Sequence, residues 1–165
     1  MTANEQFITW LNSAHSMEIS LAKVLENHAS DAKDHPEIRQ RIEQHLNETR
    51  RHARRVEDCL LLLGEKPSTT KSLIGNITGM VQGASTGMFR DEIVKNFLSD
   101  YGAEHFEIAC YRSLIAAAED LGKPEIVVIC EEILMEEESM AQWIEEKIPE
   151  VTRMMLHQYS SAGRS

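Results

Sequence analysis

Four long stretches of this chain repeat apolar residues at steps of three and four, and alternation with period two is hard to find anywhere. That spacing returns side chains to one stripe of an α-helix, so the chain reads as helices packed stripe to stripe. The first stretch, about 4–28, carries Ile8, Leu11, His15, Glu18, Ala22 and Leu25 along its seam. The second, 36–63, carries Ile38, Ile42, His45, Thr49, His52, Val56 and Cys59. The third, 91–121, has Val94, Phe97, Tyr101, Glu104, Ile108, Tyr111, Ile115 and Ala118, and the fourth, 124–148, has Ile126, Cys130, Ile133, Glu137, Met140 and Ile144. At 165 residues, with no shift in composition along its length, the chain supports one domain with one core.

The connections are unequal. "SDAKDHPE" is a polar turn that puts Pro36 at a helix's first position, and "LGKPE" closes the third helix with Gly122 and opens the fourth with Pro124. Between the second and third helices lies a crossover, 64–90, long enough to hold a short weak helix around 71–81. Short, long, short describes two antiparallel hairpins joined once, the pattern of an all-α, ferritin-like antiparallel four-helix bundle. Pro149 interrupts the fourth pattern, and "EVTRMMLHQY" then predicts a short C-terminal fifth helix over about 150–159.

Three seams carry a glutamate where an apolar side chain belongs: Glu18, Glu104 and Glu137. The second helix adds Glu48 and His52, four residues apart on one face, and Glu107 shares a face with Glu104. Counted from the turns, Glu18 and Glu48 fall near one level of the first hairpin, and Glu104 and Glu137 do so within a turn in the second. Buried ionised carboxylates cost several kcal/mol each, so protons or cations must neutralise them. Carboxylates with imidazole suit iron or manganese, and two ions bridged by glutamates would satisfy both charge and donor preference.

The residues that carry the constellation also carry a resemblance. "HSMEISLAKVL", "HLNETRRHARRVEDCLLLLG", "AEHFEIACYRSLIAAAEDLG" and "ILMEEESMAQWI" are similar to the four helices of the YciE/YciF-like branch of the ferritin-like superfamily, bacterial stress-associated dimetal proteins. The likeness runs to about Ile148. It implies Glu18 as the helix-one ligand, Glu48 in "NET" for the helix-two glutamate and His52 for the polar residue one turn on. Glu104, His105 and Glu107 take the "EHYE" element, with Phe106 for its tyrosine, and Glu136 and Glu137 the helix-four pair. The implied metal set is Glu18, Glu48, His52, Glu104, Glu107 and Glu137, holding two iron ions or manganese. Ferritins and rubrerythrins usually write Glu-x-x-His in helices two and four; here Glu48 to His52 is one residue wider, and Met140 and Ala141 stand where further ligands would be. Helix four therefore has no histidine ligand, and a metal site can survive here without catalysis.

Neighbouring polar residues have plainer readings. His15 and His45 on their apolar faces read as satisfied core residues or supports, His105 points away from Glu104 as a hydrogen-bonder, and Tyr111 either donates to a ligand carboxylate or packs. Glu136 can be solvated. "RRHARR" is a basic face paired with acidic neighbours, because 17 basic against 27 acidic side chains give a net charge of −10, which repels nucleic acid and anionic membranes. No apolar run is long enough to span a bilayer and no signal-like start is visible, so a cytoplasmic protein is expected, with Cys59, Cys110 and Cys130 as reduced thiols. Glycine-rich phosphate loops and nucleophile elbows are absent. The expected function is a dinuclear metal site in a homodimer, acting as a stress-protective peroxidase or ferroxidase. The alternative is a non-catalytic stress protein that works by protein association around a degenerate site.

Overall fold

The computed structural model describes residues 1–68 and 91–162. Its helices are α1 (Ala3–Asp31), α2 (Pro36–Leu62), α3 (Glu92–Asp120) and α4 (Pro124–Ala162), with a single 3-10 turn, Ala32–Asp34, between α1 and α2. The expected helix at 71–81 lies outside the described residues. No strand occurs among those described, and no helix is long and apolar enough to cross a membrane.

Local chemistry sets the helix ends. Thr2 and Glu5 cap α1 reciprocally, the Thr2 amide donating to Glu5 Oε2 at 2.7 Å and the Glu5 amide to Thr2 Oγ1 at 3.2 Å. Asp91 Oδ1 accepts from the Val94 amide at the start of α3. α2 and α3 close in the same way: Gly64 and Gly122 take φ of 78° and 63°, and the following amides of Glu65 and Lys123 reach back to the Leu60 and Ala118 carbonyls. Left-handed φ is what glycine permits at such a stop.

Cross-helix pairs give the topology. α1 and α3 run antiparallel, since His28 meets Asp100, Asp31 meets Asn96 and Glu18 meets Tyr111. α2 and α4 do likewise through Glu37 with Lys147, His52 with Glu136 and Arg55 with Glu132. Because α1 is also antiparallel to α2 across its short turn, α2 and α3 point the same way. A helix of 27 residues is about 40 Å long, so the end of α2 and the start of α3 lie at opposite ends of the bundle. This is the ferritin-like arrangement.

One expectation changes. The segment after Pro149 is helical, but it continues α4 without a break rather than forming a separate fifth helix. An internal proline costs about 3 kcal/mol. Against that, Val151 is buried, Ile148, Met154 and Met155 pack on the end of the core that holds Ile38 and Ile42, and Lys147 bonds Glu37 and Glu150. Burying these side chains at roughly 1.5–3 kcal/mol for a full one outweighs the lost hydrogen bond.

The apolar core comes in two halves. Phe7, Leu11, Val56, Leu60, Leu114 and Ile133 belong to one, and Leu25, Ile42, Leu46, Phe97, Met140 and Ile144 to the other. Between them lies a polar layer.

Candidate metal centre

Each helix reaches that layer with its seam intact. Glu18 follows Leu11 and Ala14 on α1, Glu104 and Glu107 precede Tyr111 on α3, and Glu137 sits between Ile133 and Met140 on α4; the four glutamates are at most 2% exposed. On α2 the stripe runs His45, Thr49, His52, Val56 at steps of four and three, and these four are at most 1% exposed. The helical period therefore carries the acidic and imidazole groups inward as strictly as the leucines.

The atoms converge on two points. His45 Nε2 lies 3.0 Å from Glu104 Oε1 and 3.5 Å from Glu137 Oε2. His52 Nδ1 lies 2.7 Å from Glu137 Oε1 and 3.7 Å from Glu18 Oε2. These are two buried triads, Glu18 with His52 and Glu137, and His45 with Glu104 and Glu137, whose donor atoms all lie within 4.8 Å of one another in each. Glu137 belongs to both and turns a different oxygen to each. Tyr111 Oη donates to Glu18 Oε1, which leaves Oε2 facing the triad.

The sequence-derived set divides accordingly. Glu18, His52, Glu104 and Glu137 are brought together. Glu107 is buried beside them with Oε1 unpartnered but belongs to neither triad. Glu48 lies one step off the α2 stripe. Its carboxylate accepts from Gln44 Nε2 at 2.9 Å and meets His45 Nδ1 at 2.9 Å and Arg41 at 3.5 Å, on the outer side of the His45 ring. The residue that replaces it inside is His45, which the sequence reading took as support. The signal was present in the spacing, since seven residues, two turns, separate His45 from His52 on one stripe. Glu136 is not simply solvated either, because its Oε2 lies 2.7 Å from His52 Nε2. His105 is exposed and stands edge-on to Tyr101, and His15 is buried with Nδ1 unpartnered.

Charge in this layer is heavily perturbed. Burial pushes Glu104 and Glu107 well above the usual carboxylate range, with repulsion from Glu137 adding to it, and burial likewise raises Glu18 against the pull of His52. Burial opposes charging His52, but Glu137 and Glu18 outweigh it and push its pKa up to about 10. His45 is raised well above its ordinary value against the same opposition, chiefly by Glu104. Glu137 is held low despite burial, by His52 and then His45, and Glu48 falls to about 2 through its bond with His45. Without a cation, then, protons balance the layer.

That balance leaves donor atoms idle. Glu18 Oε2, His52 Nδ1, Glu104 Oε2, Glu107 Oε1 and both oxygens of Glu137 are buried without a hydrogen-bond partner. The contact of His52 Nδ1 with Glu137 Oε1 is close but not aligned as a hydrogen bond. Buried polar atoms are otherwise almost always satisfied, so a group that takes oxygen and nitrogen donors fits here. By contrast, an apolar cavity of about 480 Å³ between α1 and α3, lined by Trp10, Met17, Phe106 and Cys110, carries none of these atoms.

The bundle topology and this buried layer define a ferritin-like helical protein with acidic and histidine groups that could hold a metal. The chain belongs to the DUF892 family, a domain of unknown function, whose pattern matches residues 2–157. It is similar to a protein of Xanthomonas campestris pv. campestris at 33% identity and TM-score 0.82, covering 97% of this chain and 99% of that one. It shares the fold of the Escherichia coli stress protein YciF, at 22% identity and TM-score 0.77 over 90% and 95% of the two chains. It also shares the fold of a Desulfovibrio desulfuricans bacterioferritin described with a diiron site, at 20% identity and TM-score 0.72 over 92% and 82%.

Proposed function

We propose that this chain binds two divalent metal ions, iron or else manganese, one at each triad, with Glu137 common to both donor sets. The observation that carries the reading is the single carboxylate shared by two triads whose inward atoms lack partners. The diiron site named for the bacterioferritin of the same fold supports it. Glu18 and His52 would serve one ion, Glu104 and His45 the other, with Glu107 in reserve beside both. Iron bound there would supply one-electron redox chemistry toward oxygen or peroxide, which agrees with a protective role such as the name of the E. coli stress protein suggests.

The chain's own part is positioning and exclusion. Tyr111 fixes Glu18 by its hydrogen bond. Apolar layers above and below keep bulk water from the carboxylates, which strengthens their hold on a cation. Ferritin-like dimetal sites distribute ligands as a glutamate from each of two helices and Glu-x-x-His from each of the other two. Here both imidazoles come from α2 and the inward carboxylates from α1, α3 and α4.

The test is elemental analysis of the purified protein, then thermal melts with and without EDTA and anaerobic Fe(II) addition followed by peroxide. Two ions per chain, a melt lowered by EDTA and an absorbance change lost in Glu104→Ala are expected. A second reading, a non-catalytic association protein, is favoured by one observation: His45 and His52, held cationic, neutralise part of the layer without metal. Under that reading the protein carries no stoichiometric metal and EDTA leaves its melt unchanged. The proposed assembly is a cytoplasmic homodimer, for which sedimentation gives the mass directly.

A further inference from the structure

Each α2 histidine in the layer has a carboxylate on both sides, and the two rings are mounted in opposite senses. His45 turns Nε2 inward, to Glu104 and Glu137, and Nδ1 outward, where Glu48 Oε2 lies at 2.9 Å. His52 turns Nδ1 inward, to Glu137 and Glu18, and Nε2 outward, where Glu136 Oε2 lies at 2.7 Å. The outer carboxylates are themselves tethered. Glu48 accepts from Gln44 and Arg41, and Glu136 accepts from Arg51 at 3.3 and 3.4 Å. Glu136 and Glu137 are consecutive on α4 and about 100° apart, so one reaches the outer edge of His52 while the other enters the layer.

A neutral imidazole has one N–H and one lone pair, and the nitrogen that meets a fixed acceptor keeps the proton. We propose that Glu48 and Glu136 are positioning residues for the site, and that they make His45 ligate through Nε2 and His52 through Nδ1. The inference rests on the metal-binding reading and goes beyond it by assigning a role to two acidic residues on the outer side of the histidine rings and by fixing the tautomer of each ring. It also accounts for Glu48 on the edge of the stripe, since a glutamate three residues after His45 on one helix reaches the outer nitrogen and not the inner one. A cavity of about 310 Å³ between α2 and α4 has Glu48 and Glu136 in its wall, so solvent backs both carboxylates. Water can enter where either is removed. Loss of one should therefore weaken the site by degrees, in the range of about 10–100-fold in metal affinity seen for such supports.

Zn(II), diamagnetic and divalent, is the probe. Wild type and the variants Glu48→Ala, Glu48→Gln, Glu136→Ala and Glu136→Gln are titrated with Zn(II), and the histidine ring nitrogens are followed by NMR in ¹⁵N-labelled, Zn(II)-loaded protein. Expected are two ions per chain, a proton retained on Nδ1 of His45 and on Nε2 of His52, affinity reduced about 10–100-fold in each alanine variant, and recovery of most of it in the glutamine variants, which keep an acceptor oxygen. Each alanine change should disturb only its own ring's signals. Zn(II) on Nδ1 of His45 or Nε2 of His52 would overturn the proposal, as would loss of one ion in Glu48→Ala, which makes Glu48 a ligand, or unchanged affinity in both alanine variants. Wild-type protein that takes up no Zn(II) sinks the metal reading itself, and this inference with it.

Discussion

Changing Glu137 to glutamine tests the shared carboxylate even before any metal is added. Its oxygens lie 2.7 Å from His52 Nδ1 and 3.5 Å from His45 Nε2, and all three residues are at most 1% exposed. His52 is held protonated with a pKa of about 10 against an ordinary 6.5. At pH 7 that shift is worth about 4 kcal/mol of folding free energy, at 1.36 kcal/mol per unit over about three units. Glu137 and Glu18 share the effect, and Glu137 is the nearer, at 2.7 Å from His52 Nδ1 against 3.7 Å, so removing its charge should cost roughly 2–3 kcal/mol. The depressed pKa of Glu137 is the same interaction seen from the other partner. Glu137→Gln, stripped of metal, should lose about that much in urea unfolding at pH 7, a midpoint lower by roughly 1–1.5 M at a slope near 2 kcal/mol/M. The pH profile gives the sharper readout. A raised histidine pKa stabilises fully below 6.5 and ceases to do so as pH passes about 10, so metal-free wild type should lose stability between pH 7 and 10 and the variant should lose much less. A variant with the wild-type midpoint, or with the same fall toward pH 10, would refute the pairing.

Metal should reverse the pH dependence. In the metal-free protein Glu18, Glu104 and Glu107 titrate above their unfolded values, so the folded state holds extra protons and stability should rise as pH falls from 7 toward 5, whereas the metal-loaded protein should weaken over the same window because protons compete for the ligands. Paired thermal melts with and without EDTA read both slopes, and slopes of one sign would count against the site. At the turn between α3 and α4, Gly122→Ala should cost about 1 kcal/mol in urea unfolding with metal content unchanged. Its φ of 63° disfavours a side chain, while an added Cβ would meet nothing within 4 Å, so a larger loss would point to a contact the structure lacks.

Most of the fold could be read from the chain because burial and helical period were written together. Seams such as Leu11, Glu18 and Leu25, or Ile133, Glu137 and Ile144, point inward as their spacing requires, and Gly64, Gly122, Pro36 and Pro124 mark ends that the structure keeps. Pro149 misled for a physical reason. A proline's local cost is visible in sequence, but the surface that compensates it, the far end of α2 beneath Met154 and Val151, exists only after the bundle forms. The site divided along the same line. Glu18, Glu104 and Glu137 each have a whole seam to fix their direction, whereas Glu48 and His45 stand on either side of a boundary that a one-residue rotation decides.

That boundary also explains how a helix without Glu-x-x-His can still face two triads. A ligand pair three residues apart spans one turn, about 4.5 Å along the axis, and serves one ion with two side chains. His45 and His52 are seven apart, roughly 10 Å along α2, and each long ring reaches back toward the middle, where Glu137 offers one oxygen to either side. The seven-residue spacing lets a single helix supply the nitrogen of both triads, with Thr49 between them bonded to the His45 carbonyl and so withdrawn from the layer. The helix opposite then carries one central carboxylate, and Met140, three residues on, joins the apolar half of the core.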